Sequence, residues 1–256
     1  MTARIVALVN QKGGVGKTTT AVSLAAALAR RHRRVLLVDL DPQGNATSAS
    51  GVAGDGRPGV YEALLDEHPV DGAALPVEGE GFDLLSASRA LAGAEVELVP
   101  VLARERRLTN ALAPVRDRYD WILLDCPPSL GLLTVNALTA ADSVIIPVQC
   151  EYLALEGLGR LTQTLDLVRR NLNPSLAILG VVLTMFDSRT RLANEVAEEV
   201  RSHFRETFET VVPRSIRLGE APSHGQSIFR YEPGGRGAAA YDALVDELLA
   251  RAEVKP

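Results

Sequence analysis

A glycine-rich loop that contains two lysines lies near the start of the chain, in the segment QKGGVGKTTT of residues 11–20. An apolar run precedes this loop and a helical pattern follows it, which is the context that a phosphate-binding loop requires. Glycines let successive backbone N–H groups point at one anion, while Lys17 adds positive charge near the β- and γ-phosphates and Thr18 offers a hydroxyl to Mg²⁺. The loop therefore predicts binding of a nucleoside triphosphate, through Lys12, Gly13, Gly14, Val15, Gly16, Lys17, Thr18 and Thr19.

The loop departs from the standard pattern G-x-x-x-x-G-K-[ST] at its first position. Gln11 stands where that pattern has glycine, and a second lysine, Lys12, follows it. A chance glycine turn is the alternative, but it would rarely combine a strand, a lysine-rich loop and a helix in this order. The loop residues alone do not assign a role to the additional cation.

Two apolar runs further along the chain, VLLVD and WILLD, end in Asp39 and Asp125. Such a strand places its carboxylate at the carboxyl edge of a parallel sheet, facing the Mg²⁺ of a phosphate loop. We assign Asp125 to the metal, through a metal-bound water, together with Thr18, and we assign Asp39 to shaping the metal shell. Asp41 is the candidate for positioning the attacking water. A helix N-cap or an Asx-turn is the alternative role for each aspartate.

Alternating strand and helix patterns run along the whole chain, and most strand runs are unbroken aliphatic stretches typical of strands buried on both faces. The predicted strands are Arg4–Asn10, Val35–Asp39, Phe82–Ser86, Trp121–Asp125, Ser143–Val148, Ile178–Thr184 and, more weakly, Thr210–Val212. The predicted helices are Lys17–Arg31, Val60–Leu65, Leu91–Glu97, Arg104–Val115, Leu130–Ala140, Leu153–Asn171, Arg191–Glu206 and Gly237–Ala252. With right-handed crossovers they predict an α/β fold, a doubly wound and mostly parallel sheet flanked by helices, as a single domain over residues 1–256.

The composition excludes several classes of protein. The chain has 256 residues, of which 46% are hydrophobic and 4% aromatic, and no apolar run approaches the roughly 20 residues of a membrane span. The first strand starts near Arg4, so we expect neither a signal peptide nor an N-terminal helix-turn-helix domain. Cys126 and Cys150 lack metal-ligand or disulfide spacing. These features favour a cytoplasmic protein.

Several segments together resemble the deviant Walker A ATPases, the MinD/ParA family of P-loop NTPases. They are KGGVGKT at residues 12–18, VDLDPQGN at 38–45 and LDCPPS at 124–129. Two later segments, LTMFDSRT at 183–190 and PRSIRLGEAPSHG at 213–225, are similar to the ParA/Soj chromosome-partitioning branch in particular. The resemblance covers nearly the whole chain and implies an ATPase that uses ATP and Mg²⁺.

The resemblance also implies a role for the second lysine. In this family the residue at the position of Lys12 reaches across a nucleotide-sandwich dimer to the other subunit's phosphates. We therefore expect an ATP-dependent homodimer in which Lys12, Lys17 and Asp41 are the catalytic residues. A ParB-type centromere-binding protein is the expected partner, and it would stimulate slow hydrolysis. The adenine contacts are expected at Met185, Asp187 and Pro213.

The net charge of −5 means that nucleic-acid binding would require a local basic surface. Arginines are frequent late in the chain, and the resemblance implies that Arg189 and Arg217 bind double-stranded DNA nonspecifically. We add Arg214 to this DNA-binding set, because scattered arginines suit phosphate contacts that do not read bases. The alternative is that these arginines are solvated or paired with nearby carboxylates. DNA binding would make the protein nucleoid-associated.

Two other functions compete with DNA segregation. A MinD-like membrane-associated division-site ATPase would need a basic amphipathic C-terminal helix, whereas residues 240–256 are net acidic, so no membrane partner is expected. A small-molecule ATP-dependent ligase of the dethiobiotin synthetase type would need a substrate pocket, and no sequence motif indicates one.

The basic run RRHRR at residues 30–34 is predicted to cap the first helix rather than to bind nucleic acid. Cys126 is predicted to be a small buried residue without reactivity.

Overall fold

The computed structural model describes residues 2–54, 56–152 and 154–253, and it is built around one twisted sheet. The strands are β1 (Arg4–Leu8), β2 (Val35–Asp39), β3 (Leu75–Pro76), β4 (Asp83–Leu85), β5 (Trp121–Asp125), β6 (Ser143–Gln149), β7 (Ala177–Phe186) and β8 (Thr207–Pro213). They lie in the order β3-β4-β2-β5-β1-β6-β7-β8, and all neighbours are parallel except β3 with β4. The predicted fold class is confirmed.

Helices cover both faces of this sheet. They are α1 (Lys17–Arg30), α2 (Asn45–Ala49), α3 (Val60–Leu65), α4 (Val70–Ala73), α5 (Leu91–Glu97), α6 (Arg107–Leu112), α7 (Leu132–Ala140), α8 (Ala154–Asn171), α9 (Arg191–His203), α10 (Ile216–Glu220), α11 (Ile228–Tyr231) and α12 (Arg236–Glu253). Short 3₁₀ turns occupy Arg104–Arg106, Ala113–Val115 and Ala221–His224.

The alternation of side chains along β1 shows how the two hydrophobic cores form. Ile5 and Ala7 belong to the core under α3 to α9, whereas Val6 and Leu8 belong to the core under α1, α2 and α10 to α12. Successive strand side chains point to opposite faces, so a strand with a core on each side must be apolar at every position. This requirement explains the unbroken aliphatic runs that identified the strands.

The pairing of β1, β5 and β2 brings functional residues to one edge of the sheet. Asp125, the last residue of β5, is in register with Leu8 of β1 and with Asp39 of β2. Two carboxylates therefore end neighbouring strands, directly beside the loop that joins β1 to α1. In an open parallel sheet this carboxyl edge is where ligands bind.

Several boundaries differ from the predicted ones for identifiable reasons. The predicted helix Arg104–Val115 is divided because Pro114 lacks the N–H that would continue α6. β8 begins earlier than Thr210 and α9 ends at His203. The two-residue β3 has too little periodicity to be recognised from sequence. The predicted start of α8 at Leu153 lies outside the described residues.

The basic run after α1 holds helices together. The Arg31 guanidinium contacts Asp242 at 2.9 Å and Asp246 at 2.7 Å, both on α12, and it also donates to the carbonyl of Ala27. Arg34 pairs with Asp120 at 2.9 Å. The contact of Arg31 with the Ala27 carbonyl agrees with the predicted capping role, while Arg30, His32 and Arg33 remain exposed.

Gly51 and Gly225 bring the end of α2 into backbone contact with the segment after α10. Their φ values are 70° and 62°, in the left-handed region that favours glycine. A Cβ on Gly225 would lie 2.6 Å from the Cα of Gly51. Since backbone cannot move aside as a flexible side chain does, residues 219–225 are held against α2 only while both positions are glycine.

Replacing Gly225 with alanine should lower the free energy of unfolding by about 1–3 kcal/mol, because the variant combines a left-handed backbone with a backbone clash. Urea unfolding would measure the change. Gly157→Ala is the matched control, because Gly157 lies inside α8 and its added Cβ would meet open space. That control should gain about 0.5–1 kcal/mol. Equal stability of Gly225→Ala and the wild type would contradict this account of the contact.

Candidate nucleotide-binding site

The loop between β1 and α1 forms a cradle of backbone N–H groups at the sheet edge. Gly14 and Gly16 have φ values of 75° and 87°, which turn the chain so that α1 begins at Lys17. The Thr184 hydroxyl donates to the carbonyl of Val15 at 2.8 Å and fixes the loop to β7. The first N–H groups of α1 have no acceptor within the helix, so the loop and the helix dipole together favour an anion.

Lys17 lies inside this cradle and is almost completely buried, at 6% exposure. Its ammonium donates to the carbonyl of Lys12 at 3.1 Å, across the loop. Burial lowers the pKa of Lys17, and the nearby Asp125 carboxylate opposes that shift. A buried cation with a single hydrogen bond to a backbone carbonyl is a favourable partner for phosphate oxygens.

Asp125 is fully buried at the end of β5, and neither of its carboxylate oxygens has a hydrogen-bond partner among the described residues. Burial raises its pKa well above the ordinary value, and the neighbouring Asp39 raises it further. The Thr18 hydroxyl is near enough to oppose this shift slightly, although it makes no well-formed hydrogen bond to the carboxylate. A buried carboxylate without a partner is costly unless a cation or a water network completes it.

Asp39 is equally buried, but both of its carboxylate oxygens accept hydrogen bonds. One oxygen accepts from the backbone N–H and the hydroxyl of Thr47, each at 2.7 Å, and the other accepts from the N–H of Asp41 at 3.2 Å. Burial raises the pKa of Asp39 to about 6, and the Thr47 contacts oppose that shift. The Thr47 hydroxyl also accepts from the N–H of Ala87. Asp39 thus ties α2 to the sheet, which positions Asp41.

Asp41 lines the cleft above the loop and has one oxygen that is only weakly engaged. Its Oδ1 accepts from the N–H of Gln43 at 2.9 Å, which is the Asx-turn considered from the sequence. Its Oδ2 has only a 3.5 Å contact with the amide of Asn45. The Asx-turn and the predicted role of Asp41 in positioning the attacking water are therefore compatible. The turn fixes the Asp41 side chain through Oδ1, and Oδ2 stays available to a water.

Two adjoining cavities extend from the loop. The larger, of about 650 Å³, is lined by the phosphate loop, Asp41, Pro128 and Ser223. The smaller, of about 310 Å³, includes Met185 and Pro213 among its lining residues and shares Gly16 and Gly219 with the larger. We refer to them as the phosphate cleft and the base pocket.

Of the three expected adenine contacts, Met185 and Pro213 therefore line the base pocket, whereas Asp187 does not. Asp187 lies on the other side of the β7 terminus, where it pairs with Arg189 at 2.7 Å. Met185 has a positive φ of 52°, an uncommon conformation that turns the chain at this point.

Lys12 is not among the described residues that line the phosphate cleft of its own chain. Its ammonium contacts Oε2 of Glu151 at 2.8 Å, and the lysine side chain is 46% exposed. The other oxygen of Glu151 accepts from the side chain of Gln149. The two lysines of the loop are thus separated, Lys17 inside the cradle and Lys12 at the surface.

The residues at the sheet edge fit a magnesium ion that is shared with phosphates and water. The described residues contain no group of three or more His, Cys, Asp or Glu side chains that could hold a metal by themselves. Mg²⁺ in nucleotide sites keeps several waters and takes few protein ligands, which suits the unpartnered carboxylate of Asp125 beside Thr18. Asp39 is fully buried and both of its oxygens already accept hydrogen bonds, which favours an indirect contribution to the metal shell.

The three arginines predicted to bind DNA do not form one group. Arg189 and Arg214 line the same groove near the ends of β7 and β8. Arg217 lies on α10, where it pairs with Glu220 at 2.7 Å and approaches Glu232 at 3.6 Å. The pairing alternative considered from the sequence therefore applies to Arg217 and equally to Arg189, which pairs with Asp187.

Sequence reasoning missed three residues that organise the site. Thr47 and Thr184 fix the carboxylate and the loop through hydroxyl contacts that no motif announces. Glu151 holds Lys12 across a sequence separation of 139 residues. Its position just after β6, at the same edge of the sheet, was the available signal.

Comparison with known proteins identifies the family. A family profile described as an AAA domain (AAA_31) matches residues 3–178. The chain is 55% identical to the sporulation initiation inhibitor protein Soj of Bacillus subtilis, covering 96% of this chain and 98% of that protein. It is 54% identical to the chromosome partitioning protein ParA of Myxococcus xanthus, covering 97% and 88%. The chain belongs to the ParA/Soj family of chromosome-partitioning ATPases. The resemblance stated from the sequence is confirmed.

A solved structure extends this ParA/Soj assignment to the ligands. Cobyrinic acid a,c-diamide synthase from Mycobacterium smegmatis is 40% identical, with a TM-score of 0.87, covering 98% of this chain and 96% of that one. It was solved with ADP and magnesium, and also with an ATP analogue and magnesium. At the level of the family, the predicted ATPase activity and the predicted cofactors, ATP and Mg²⁺, are confirmed.

The unpartnered carboxylate leads to a paired prediction for Asp125→Asn. This variant should lose Mg²⁺-dependent ATP hydrolysis, yet in EDTA it should be more stable than the wild type at neutral pH, because the cost of burying a charge disappears. Because the folded-state pKa is raised, the wild type should lose stability relative to the variant as pH rises above about 4, where the unfolded carboxyl ionises.

Chemical denaturation at several pH values, together with a phosphate-release assay, would measure both effects. A variant that is less stable than the wild type in EDTA at every pH would show that Asp125 has a structural partner and would contradict this account.

Proposed function

We propose that the protein is an ATP-dependent switch of DNA segregation. In this proposal the ATP-bound sandwich dimer binds double-stranded DNA nonspecifically, and slow Mg²⁺-dependent hydrolysis releases it. A ParB-type centromere-binding protein would stimulate the hydrolysis. The observation that carries the proposal is the separation of Lys12 from Lys17.

Lys12 is available to a second subunit. It is absent from the described residues that line its own phosphate cleft, and its side-chain partner among the described residues is Glu151, itself 44% exposed. Exposed ion pairs contribute little to stability, so the contact is easily exchanged for a phosphate. A lysine that does not line its own phosphate cleft and that is held by an exposed ion pair supports action on the nucleotide of a partner subunit.

The other residues support hydrolysis within each subunit. The loop N–H groups and Lys17 would hold the β- and γ-phosphates, while Oδ2 of Asp41 would accept a hydrogen bond from the attacking water. The water oxygen forms a bond to the γ-phosphorus as the bond to the β–γ bridging oxygen breaks, which gives ADP and inorganic phosphate. Bound Mg²⁺, held near Thr18 and Asp125, would supply neutralisation of phosphate charge.

The DNA-bound state follows from the same switch by linkage. If only the dimer binds DNA, DNA favours retention of ATP, and hydrolysis favours release. Exposed arginines around residue 189 are suited to phosphate contacts without base reading, so retention should not depend on sequence. On this account the protein is cytoplasmic and associated with the nucleoid.

A small-molecule ATP-dependent ligase is the second candidate. It is suggested by the 40% identity to the Mycobacterium smegmatis protein, which is named as a cobyrinic acid a,c-diamide synthase. Identity of 54–55% to Soj and ParA over nearly the full length favours segregation. ATP turnover that rises with DNA and a basic partner peptide would support segregation, whereas turnover that requires cobyrinic acid would support the ligase.

The membrane-associated alternative has less support. No described helix is long and apolar enough to cross a bilayer. In α12 the apolar residues Tyr241, Leu244 and Leu248 are buried against the sheet. Arg251 on the same helix contacts Glu247 and the carbonyl of Thr207. The apolar face of α12 is therefore occupied within the fold. Lys255, which contributed to the sequence argument, lies outside the described residues.

Replacement of Lys12 by alanine should preserve ATP binding and abolish ATP-dependent dimerisation, because Lys17 and the loop N–H groups remain in place. Nucleotide titration and sedimentation with ATP, ADP and no nucleotide would measure the two properties. Lys17→Ala is the matched control and should lose both. Normal ATP-dependent dimers of Lys12→Ala would overturn the proposed role of Lys12.

A further inference from the structure

An exposed apolar strip lies at the end of α5 and in the turns that follow this helix. Its members are Val96, Val99 and Leu102, whose exposed fractions are 73%, 53% and 93%. The described residues expose seven large apolar side chains in all, and the other four lie elsewhere in the chain. Isolated apolar side chains are normal on a protein surface, whereas three of them within residues 96–102 indicate an interaction site.

The backbone of these turns places the apolar strip on one side. The N–H of Val99 donates to the carbonyl of Val96 at 3.1 Å, and the N–H of Val101 donates to the carbonyl of Leu98 at 3.0 Å. In consecutive helical turns, residues three positions apart are neighbours on the same side. Leu98 is fully buried, so the segment is anchored beneath while the apolar strip faces solvent.

The charges within the apolar strip are negative. Between positions 90 and 103 the charged residues are Glu95 and Glu97 alone, and Glu97 is exposed. Arg104, which follows, turns its guanidinium back to the carbonyl of Val99. Such a surface is complementary to a segment that carries apolar residues on one side and basic residues beside them.

The segment that carries the strip, residues 95–104, contacts α7 at both of its ends. At the start, the Glu95 carboxylate occupies the space that a Cβ on Gly131 would need, and it lies 3.5 Å from the backbone nitrogen of Leu133. At the end, the side-chain amide of Asn136 donates to the carbonyl of Arg104 at 2.8 Å. Asn136 is fully buried, so this second contact is shielded from water. We call residues 95–104 the strip segment.

Helix α7 in turn continues from the loop that follows Asp125. This loop spans residues 126–131, and Pro128 within it lines the phosphate cleft. The Thr134 hydroxyl donates to the carbonyl of Ser129 at 2.6 Å, which joins the loop to the first turn of α7. Helix α7 therefore connects the strip segment to the edge of the sheet where Asp125 lies.

We propose that the apolar strip is the docking surface for the ParB-type partner that stimulates hydrolysis, and that a basic amphipathic segment of this partner occupies it. The inference rests on the proposed function and names the surface through which the partner acts. The strip segment, α7 and the loop after Asp125 carry the effect of docking to the phosphate cleft.

Partner-stimulated ATP hydrolysis tests the docking surface. Turnover is measured with double-stranded DNA while the full-length ParB-type protein of the same organism is titrated. Leu102→Ser should raise the partner concentration for half-maximal stimulation about ten-fold, because a leucine that the complex buries is lost. Turnover without the partner should stay at the wild-type level, since Leu102 does not line the phosphate cleft. Glu97→Gln should weaken stimulation at low salt more than at high salt.

Leu167→Ser is the control for loss of an exposed leucine, because Leu167 lies on α8 and is 59% exposed. It should leave basal and stimulated turnover unchanged, and circular dichroism should show that both leucine variants are folded. Wild-type stimulation of Leu102→Ser would overturn the docking surface. Loss of ATP-dependent dimers by Leu102→Ser without the partner would also overturn it, and would assign the strip to contact between two copies of this chain. A partner that fails to stimulate the wild type would instead overturn the proposed function.

Hydrogen exchange tests the route through α7. With a non-hydrolysable ATP analogue, the partner should change the exchange of backbone N–H groups in residues 126–135 of the wild type. The same partner concentration should have a much smaller effect on Leu102→Ser. A change confined to the strip segment would overturn the route to Asp125.

Discussion

Two buried carboxylates on neighbouring strands set the requirement that the rest of the structure meets. Asp39 and Asp125 lie in register at the carboxyl edge of the sheet, where burial raises the pKa of both and the charge of Asp39 raises the pKa of Asp125 further. Thr47 donates hydrogen bonds to Asp39, whereas Asp125 has no hydrogen-bond partner among the described residues. A cation would satisfy this buried carboxylate, and the loop beside it presents Lys17 and helix N–H groups that attract anions. In the proposed function, metal and phosphate bind there together.

The glycine contact between α2 and residues 219–225 adds a second constraint. Asp39 holds α2 through Thr47, and Gly51 holds the later segment against α2. The later segment contributes Ser223 to the phosphate cleft and continues back through Pro213 to the groove that Arg189 and Arg214 line. Residues of the cleft and of this groove are thus joined by short stretches of backbone.

Much of the fold and part of the site could be predicted from the sequence. Strands buried on both faces must be aliphatic throughout, so their runs are recognisable, and the loop glycines and strand-end aspartates mark the phosphate edge. The rest depends on contacts between distant residues. No local pattern shows which distant side chains meet in the folded chain. Three examples are the contact of Glu151 with Lys12, the contact of Thr47 with Asp39, and the shared groove of Arg214 and Arg189.

Intersubunit complementation would show directly whether Lys12 acts on the nucleotide of the other subunit, as we propose. Lys12→Ala and Asp41→Ala proteins are each assayed for DNA-stimulated ATP hydrolysis, alone and mixed. In a mixed dimer the subunit carrying Lys12→Ala keeps its own Asp41 and receives Lys12 from its partner. The account predicts that two inactive proteins recover activity on mixing. A mixture that forms heterodimers and stays inactive would show that Lys12 acts within its own chain, and would contradict the account.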